Sequence, residues 1–328
     1  MRSSILATVS KLKGALILVV ASLALAQDAT FHTTVPAVIA PTTVTDHKGK
    51  YVNGLTADDF VVLDNGIPQT IRLDTADVTS IPIAMVFAVQ TDDAAASAIQ
   101  KIHKIGPMIQ PLITGEAGHV AIVSYGSNVG LEQDFTSDPE EITRAFLNIK
   151  AESDRRAPML DAVSNAVSML HLRPSNERRI VVVVGETRDR GSKTKVADVL
   201  KMIQRESVTV FSLSYSAYLT PFTTKASELP PPEHQGDIIE IITEMGRMAK
   251  TNGAIALAEN SGGQKLSFVT LHSLEKLIGH VGEELHSQYL LSYTPPSRES
   301  GFHSISVKLR DRSGLLVRSR PGYWVDTE

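Results

Sequence analysis

The sequence predicts an α/β fold: a mainly parallel sheet with helices on both faces, plus a small β-domain made from the two ends of the chain. Two observations predict it. Four continuous apolar runs, Ile83–Val89, Gly118–Tyr125, Arg179–Val184 and Val208–Ser214, alternate with segments of helical spacing. Strands buried on both faces read as unbroken apolar runs, and strands alternating with helices imply a parallel sheet. Strand-like segments also lie on either side of this pattern, and each is too short to close a core alone. Because domain termini often lie close together, the two are expected to pair.

The elements follow in order. Val35–Thr45 is β-branched but carries Pro36 and Pro41, which confine such a segment to edges or bends. Asp46–Lys50 is a charged turn, and Thr56 caps a short helical turn ending near Phe60. Phe60–Leu63, the Asn65-Gly66 turn and Gln69–Leu73 form a hairpin. Past the first apolar run, Ala94–Ile113 is expected as one helix. Asp138, Pro139 and two glutamates start another, with an N-cap, a first-turn proline and acids at the positive end of the dipole. Helices over Leu160–Leu170, Val196–Glu206, Ile238–Asn260 and Ser273–His286 complete the pattern, with Gln264–Phe268 as a further strand. Tyr218–Gly236 is a proline-rich surface loop. Gln288–Tyr293, Ser304–Leu309 and Leu315–Tyr323 return to β-structure.

Composition narrows the function. A formal net charge of -4 gives no global basic field for nucleic acid. The chain has no cysteine, which excludes disulfides, thiolate-bound zinc and a thiol nucleophile. At the N-terminus, Arg2, Lys11 and Lys13 precede the apolar stretch Gly14–Ala26, which ends in Ala24-Leu25-Ala26. That is the three-part pattern of a secretory signal peptide. Cleavage would remove three cations and no acid, taking the net charge from -4 to -7. The expected organisation is a signal peptide over 1–26, a β-segment over 27–79, an α/β domain over 80–286 and a closing β-segment over 287–328. The protein is expected in the periplasm, on the cell surface or in the medium, with no membrane span once the signal is removed.

Several stretches in this order resemble a known family. They are TDHKGKYVNGLTADDFVVLDNGIPQTI (45–71), SYGSNVGLEQDFTSD (124–138), GETRDRGS (185–192), EELHSQYLLSYTP (283–295) and VRSRPGYW (317–324). Together they resemble the exported bacterial proteins with a von Willebrand factor A-related domain. The second stretch looks like the strand and loop after the first helix. The resemblance implies a Rossmann-like, von Willebrand A-like sheet whose C-terminal edge binds another protein, often through a divalent ion. The family's ion site uses Asp-x-Ser-x-Ser after the first strand, a Thr from a second loop and an Asp from a third.

This chain departs from that pattern at all five positions. Gln90 stands for the Asp, Asp92 and Ala94 for the serines, Ala157 for the Thr, and Glu186 (or Gly185) for the last Asp. Asp92, Glu186 and Gln90 still offer hard oxygen donors of the kind that suit Mg²⁺ or Mn²⁺. The alternatives are an altered site that holds such an ion and a degenerate one whose loops bind a partner without it. Thr91, Asp93, Arg155, Arg156, Ala157, Arg188, Asp189 and Arg190 lie on the same predicted edge. Its arginines either neutralise the carboxylates or recruit an acidic partner.

No His-Glu-x-x-His, Gly-x-Ser-x-Gly or Walker lysine occurs. The expected function is therefore protein binding or adhesion rather than catalysis. A metal-independent structural role in a cell-envelope assembly is the alternative.

Overall fold

The apolar runs become neighbouring strands of one sheet in the computed structural model, which describes residues 37–73, 81–215, 252–295, 299–310 and 312–326. Strand β5 (Ile83–Gln90) is buried along its whole length. It pairs in parallel with β6 (His119–Tyr125) on one side and β8 (Arg178–Gly185) on the other. Beyond β8 lie β9 (Thr209–Tyr215) and β10 (Lys265–Phe268), also parallel. The order is β10-β9-β8-β5-β6-β7, with β7 (Val129–Thr136) antiparallel at the outer edge. The chain leaves β5 toward β6 and returns to β8 on the far side. This reversal opens a crevice at the C-terminal ends of β5 and β8, where open α/β sheets bind ligands.

Strand β7 falls within the stretch read from sequence as strand and loop. Its polar Glu132, Gln133 and Asp134 give no apolar run, as suits an edge strand. Its register with β6 also slips twice, between Val120 and Val123. The helix expected over 94–113 is broken. A 3-10 turn at Asp93–Ala95 leads into α1 (Ala96–Ile102) and α2 (Gly106–Ile109), and a π turn follows at Gln110–Thr114. Gly106-Pro107 and Pro111 are the cause, since proline donates no N–H and clashes with the preceding turn.

Helices cover both faces. α1, α2, α3 (Pro139–Asn148) and α7 (Leu271–Ser287) pack on one, around Met85, Phe87, Ile122, Phe146 and Phe211. On the other, α4 (Met159–His171), α5 (Val196–Arg205) and α6 (Gly253–Glu259) pack on Val86, Ala88, Val123 and Val183. Side chains of this size each stabilise by about 1.5–3 kcal/mol on burial. Asp138 caps α3 by accepting from Glu140 N at 2.8 Å, and Thr270 caps α7 by accepting from Ser273 N at 3.1 Å. No helix among the described residues is long and apolar enough to cross a membrane.

The two ends of the chain form two four-stranded antiparallel sheets. One has the order β13-β1-β11-β4, from β13 (Leu315–Ser319), β1 (Val38–Asp46), β11 (Tyr289–Tyr293) and β4 (Arg72–Leu73). The other is β14-β12-β2-β3, from β14 (Gly322–Val325), β12 (Gly301–Leu309), β2 (Phe60–Asp64) and β3 (Ile67–Pro68). Val44, Phe60, Val62, Leu291, Tyr293 and Ile305 are among the residues of their shared core.

Here too the sequence reading needs correction. Of the strand expected over 69–73 only Arg72–Leu73 forms, and it pairs with β11 rather than β2, whose hairpin partner is instead the two-residue β3; the strand expected over 315–323 breaks at Arg320-Pro321 into β13 and β14. β1 is central rather than an edge, yet Pro41 fits. β1 pairs with β11 over Val38–Thr42 and with β13 only from Thr42 onward, so one flank of Pro41 is open. The Asn65-Gly66 turn has positive φ at both residues, as a tight hairpin requires. The signal-like segment, the proline-rich loop and most of the helix expected over 238–260 lie outside the described residues.

Candidate functional site

Three loops meet over the crevice. The first follows β5, whose last residue, Gln90, is fully buried. Its amide is spent on the loops: Nε2 donates to Asp92 Oδ1 at 2.7 Å, and Oε1 accepts from Glu186 N at 2.6 Å. Gln90 thus ties the first loop to the third. Gly185, the last residue of β8, leaves room for this. A Cβ there would stand 2.1 Å from Tyr125 Oη and 2.6 Å from Gln90 Oε1.

The second and third loops are zipped together. Ala157 N donates to Arg190 O at 2.8 Å, and Arg190 N donates to Ala157 O at 2.9 Å. That bridge aims the Arg190 side chain back across the crevice. Its Nη2 donates to Asp92 Oδ2 and its Nη1 to Glu186 Oε2, while Nε donates to Arg155 O at 3.1 Å. Asp92 is buried, and burial raises its carboxyl above the ordinary range despite help from Gln90 and Arg190. Burial pulls the Arg190 guanidinium down, but Glu186 and Asp92 more than offset this and hold it above its ordinary value.

This arrangement does not fit a divalent ion. The two carboxylates that would ligate it converge on a guanidinium, and the Gln90 oxygen is taken by a backbone N–H. No group of three or more His, Asp or Glu able to hold a metal occurs among the described residues.

The other edge residues divide into buried and exposed. Thr91 and Ala157 are buried and shape the loops. Thr91 Oγ1 donates to Glu152 Oε1 at 2.9 Å, and Ser127 N donates to Glu152 Oε2 at 3.0 Å. Glu152 is held below the usual carboxylate range because the hydrogen bonds from Ser127 and Thr91 outweigh its burial. Asp189 turns inward and accepts from Leu160 N at 3.0 Å and Ser192 Oγ at 2.6 Å. Asp161, read from sequence as a helix residue, sits in the first turn of α4 and accepts from Thr194 N at 2.8 Å and from Lys193 N. Arg155, Arg156, Arg188 and Asp93 face solvent.

Two groups escaped the sequence reading. One is Glu152 with its Thr91 and Ser127 donors, signalled only by a polar loop, Ala151–Arg156. The other is a pair of buried tyrosines near the ion pair, Tyr125 and Tyr215, whose hydroxyls have no hydrogen-bond partner.

Residues 89–188 match the family model described as von Willebrand factor type A domain. No curated protein matches the chain. Among solved structures, the conserved hypothetical protein BatB from Bacteroides thetaiotaomicron is 11% identical, with a TM-score of 0.43, covering 62% of this chain and 98% of that one. Proximal thread matrix protein 1 from the mussel byssus, with a zinc-occupied MIDAS motif, is 12% identical, with a TM-score of 0.45. That match covers 67% of this chain and 49% of the mussel protein. The matched segment runs from the end of β5 through β8 and contains the first two loops and the start of the third. Over residues 89–188, then, the chain carries a match to a von Willebrand factor type A domain, and that match spans the loops of this edge.

Proposed function

We propose that this is an exported protein that binds another protein through the C-terminal edge of its sheet, without a metal ion. It is a binding module rather than an enzyme. The observation that carries the metal-free reading is the Arg190 guanidinium between Asp92 and Glu186. A tethered cation there neutralises the buried carboxylates permanently, so the edge is shaped before any partner arrives. Domains of this type commonly mediate protein interactions. The N-terminal charge and hydropathy pattern supports export.

The absence of cysteine gives a clean test. A single cysteine at Arg188 would be the chain's only thiol and can carry a photo-crosslinker. In the producing cell's envelope fraction, crosslinking from position 188 should persist in EDTA, and the same label at Lys276 on α7 should give none. Crosslinks that EDTA abolishes would contradict the metal-free reading. Crosslinks confined to labels on the two antiparallel sheets would favour the scaffold alternative.

A further inference from the structure

The charges of this edge are sorted, acids inward and bases outward. Asp92 and Glu186 are engaged by Arg190, and Glu152 by Thr91 and Ser127. Asp154 accepts from Arg155 N and Arg156 N, at 2.7 and 2.9 Å. Asp161 and Asp189 accept from the N–H and hydroxyl groups around the start of α4. Of the carboxylates in the three loops, only Asp93 is exposed. It stands 3.9 Å from Arg155, whose side chain is nonetheless 94% exposed.

The cations do the opposite. Arg155, Arg156, Arg188, Lys193 and Lys195 all reach solvent, although Arg156 also donates through Nε and Nη2 to Asp154 Oδ2, at 3.3 and 3.1 Å. They come from two loops that the Ala157–Arg190 bridge holds side by side. A Cβ on Gly191 would meet Arg156 Cγ at 3.5 Å, so the two loops run close together beyond the bridge as well. An acidic chain therefore presents a compact basic face at the end of its sheet.

We propose that this face docks an acidic peptide segment of the partner protein, its carboxylates held directly by Arg155 and Arg188, with Arg156, itself paired to Asp154, lending positive charge beside them. The proposal rests on the reading of the edge as the protein-binding face. Planar guanidinium forks suit carboxylates in paired geometry. Nucleic acid is the poorer fit. Among the described residues none of the exposed large hydrophobics is aromatic, so the described edge offers bases nothing to stack on. None of those exposed hydrophobics lies in the three loops, so a membrane surface finds no apolar anchor there.

The test is fluorescence anisotropy with the full chain in EDTA, using a labelled glutamate-rich peptide, its glutamine counterpart and a single-stranded oligonucleotide of equal charge. The acidic peptide should bind saturably and weaken as salt rises. The doubly reversed Arg155→Glu/Arg188→Glu chain should lose about tenfold or more in affinity. Lys276→Glu, an exposed cation on α7, should change nothing. An oligonucleotide that binds tighter than the peptide overturns the proposal, as does peptide binding indifferent to the double reversal. If the acidic peptide fails while crosslinking from position 188 persists, the acidic-segment proposal falls and the edge remains a binding face. If both fail, the edge reading falls with it.

Discussion

Arg190 donates to Asp92 across 98 residues of sequence, from the third loop of the sheet edge into the buried end of the first. The same guanidinium holds Glu186, so one side chain neutralises two carboxylates at the C-terminal edge of the sheet.

Removing that cation should be costly. Arg190→Gln leaves Asp92 buried beside Glu186 without its charge partner. Losing one partner of a fully buried pair costs about 3–5 kcal/mol. Because the Arg190 side chain is 37% exposed, about 1–3 kcal/mol is expected here. Denaturant unfolding should show the loss, and adding Asp92→Asn to the same chain should recover part of it. A fully additive double variant would mean the two residues are not coupled.

Gly185 is held by contact. In Gly185→Ala the new Cβ meets Tyr125 Oη and Gln90 Oε1 well inside van der Waals distance. Such overpacking costs about 1–3 kcal/mol. Tyr125→Phe alone should be neutral or slightly stabilising, because its buried hydroxyl has no partner to lose. The double variant should regain only part of the stability lost in Gly185→Ala, because Gln90 Oε1 still crowds the new Cβ. Unchanged stability in Gly185→Ala would contradict this packing.

Acid should loosen the loops before the sheet. Glu152, Asp154 and Asp161 are held below the ordinary carboxylate range. For Glu152 and Asp161, loop hydrogen bonds outweigh burial; for Asp154, the N–H and guanidinium of Arg156 act first. A carboxylate depressed in the fold contributes stability above its unfolded pKa, which is lost as pH falls through the folded value. The loss therefore begins below about pH 4. Asp92 runs the other way. Burial raises it, so its protonation favours the fold as pH falls through the raised value. Hydrogen exchange should show residues 152–158 and 189–194 losing protection toward about pH 3 while β5 and β8 keep theirs.

How much of this was legible in the sequence depends on whether the information is local. β5, β6, β8 and β9 were legible because strands covered on both faces must be apolar throughout. The cap at Asp138 was legible because a capping residue precedes its own helix; Thr56 stands at the expected N-cap position, but its hydroxyl donates to Asp59 rather than accepting from the turn. β7 was not, since an edge strand satisfies its pairing with polar residues and leaves no run. The broken helix was signalled by Pro107 and Pro111, but apolar spacing masked it. At the site, the positions of Gln90, Asp92, Glu186 and Arg190 could be read. That Arg190 alone of the four arginines turns inward could not, because the Ala157–Arg190 bridge that aims it joins residues 33 apart through tertiary pairing. Glu152 escaped for the same reason: its donors, Thr91 and Ser127, are distant in sequence.

On the proposed reading, the tethered Arg190 occupies the place an ion would need between Asp92 and Glu186. Thermal unfolding of the full chain in EDTA, then in millimolar Mg²⁺ or Mn²⁺, tests it most directly. An ion at ten times its dissociation constant would add about 1.4 kcal/mol, or roughly 2 °C for a domain of this size. No shift is expected in the native chain with either ion. A rise of that size, abolished by Asp92→Ala and by Glu186→Ala, would show that the edge holds a metal and that Arg190 does not stand in its place.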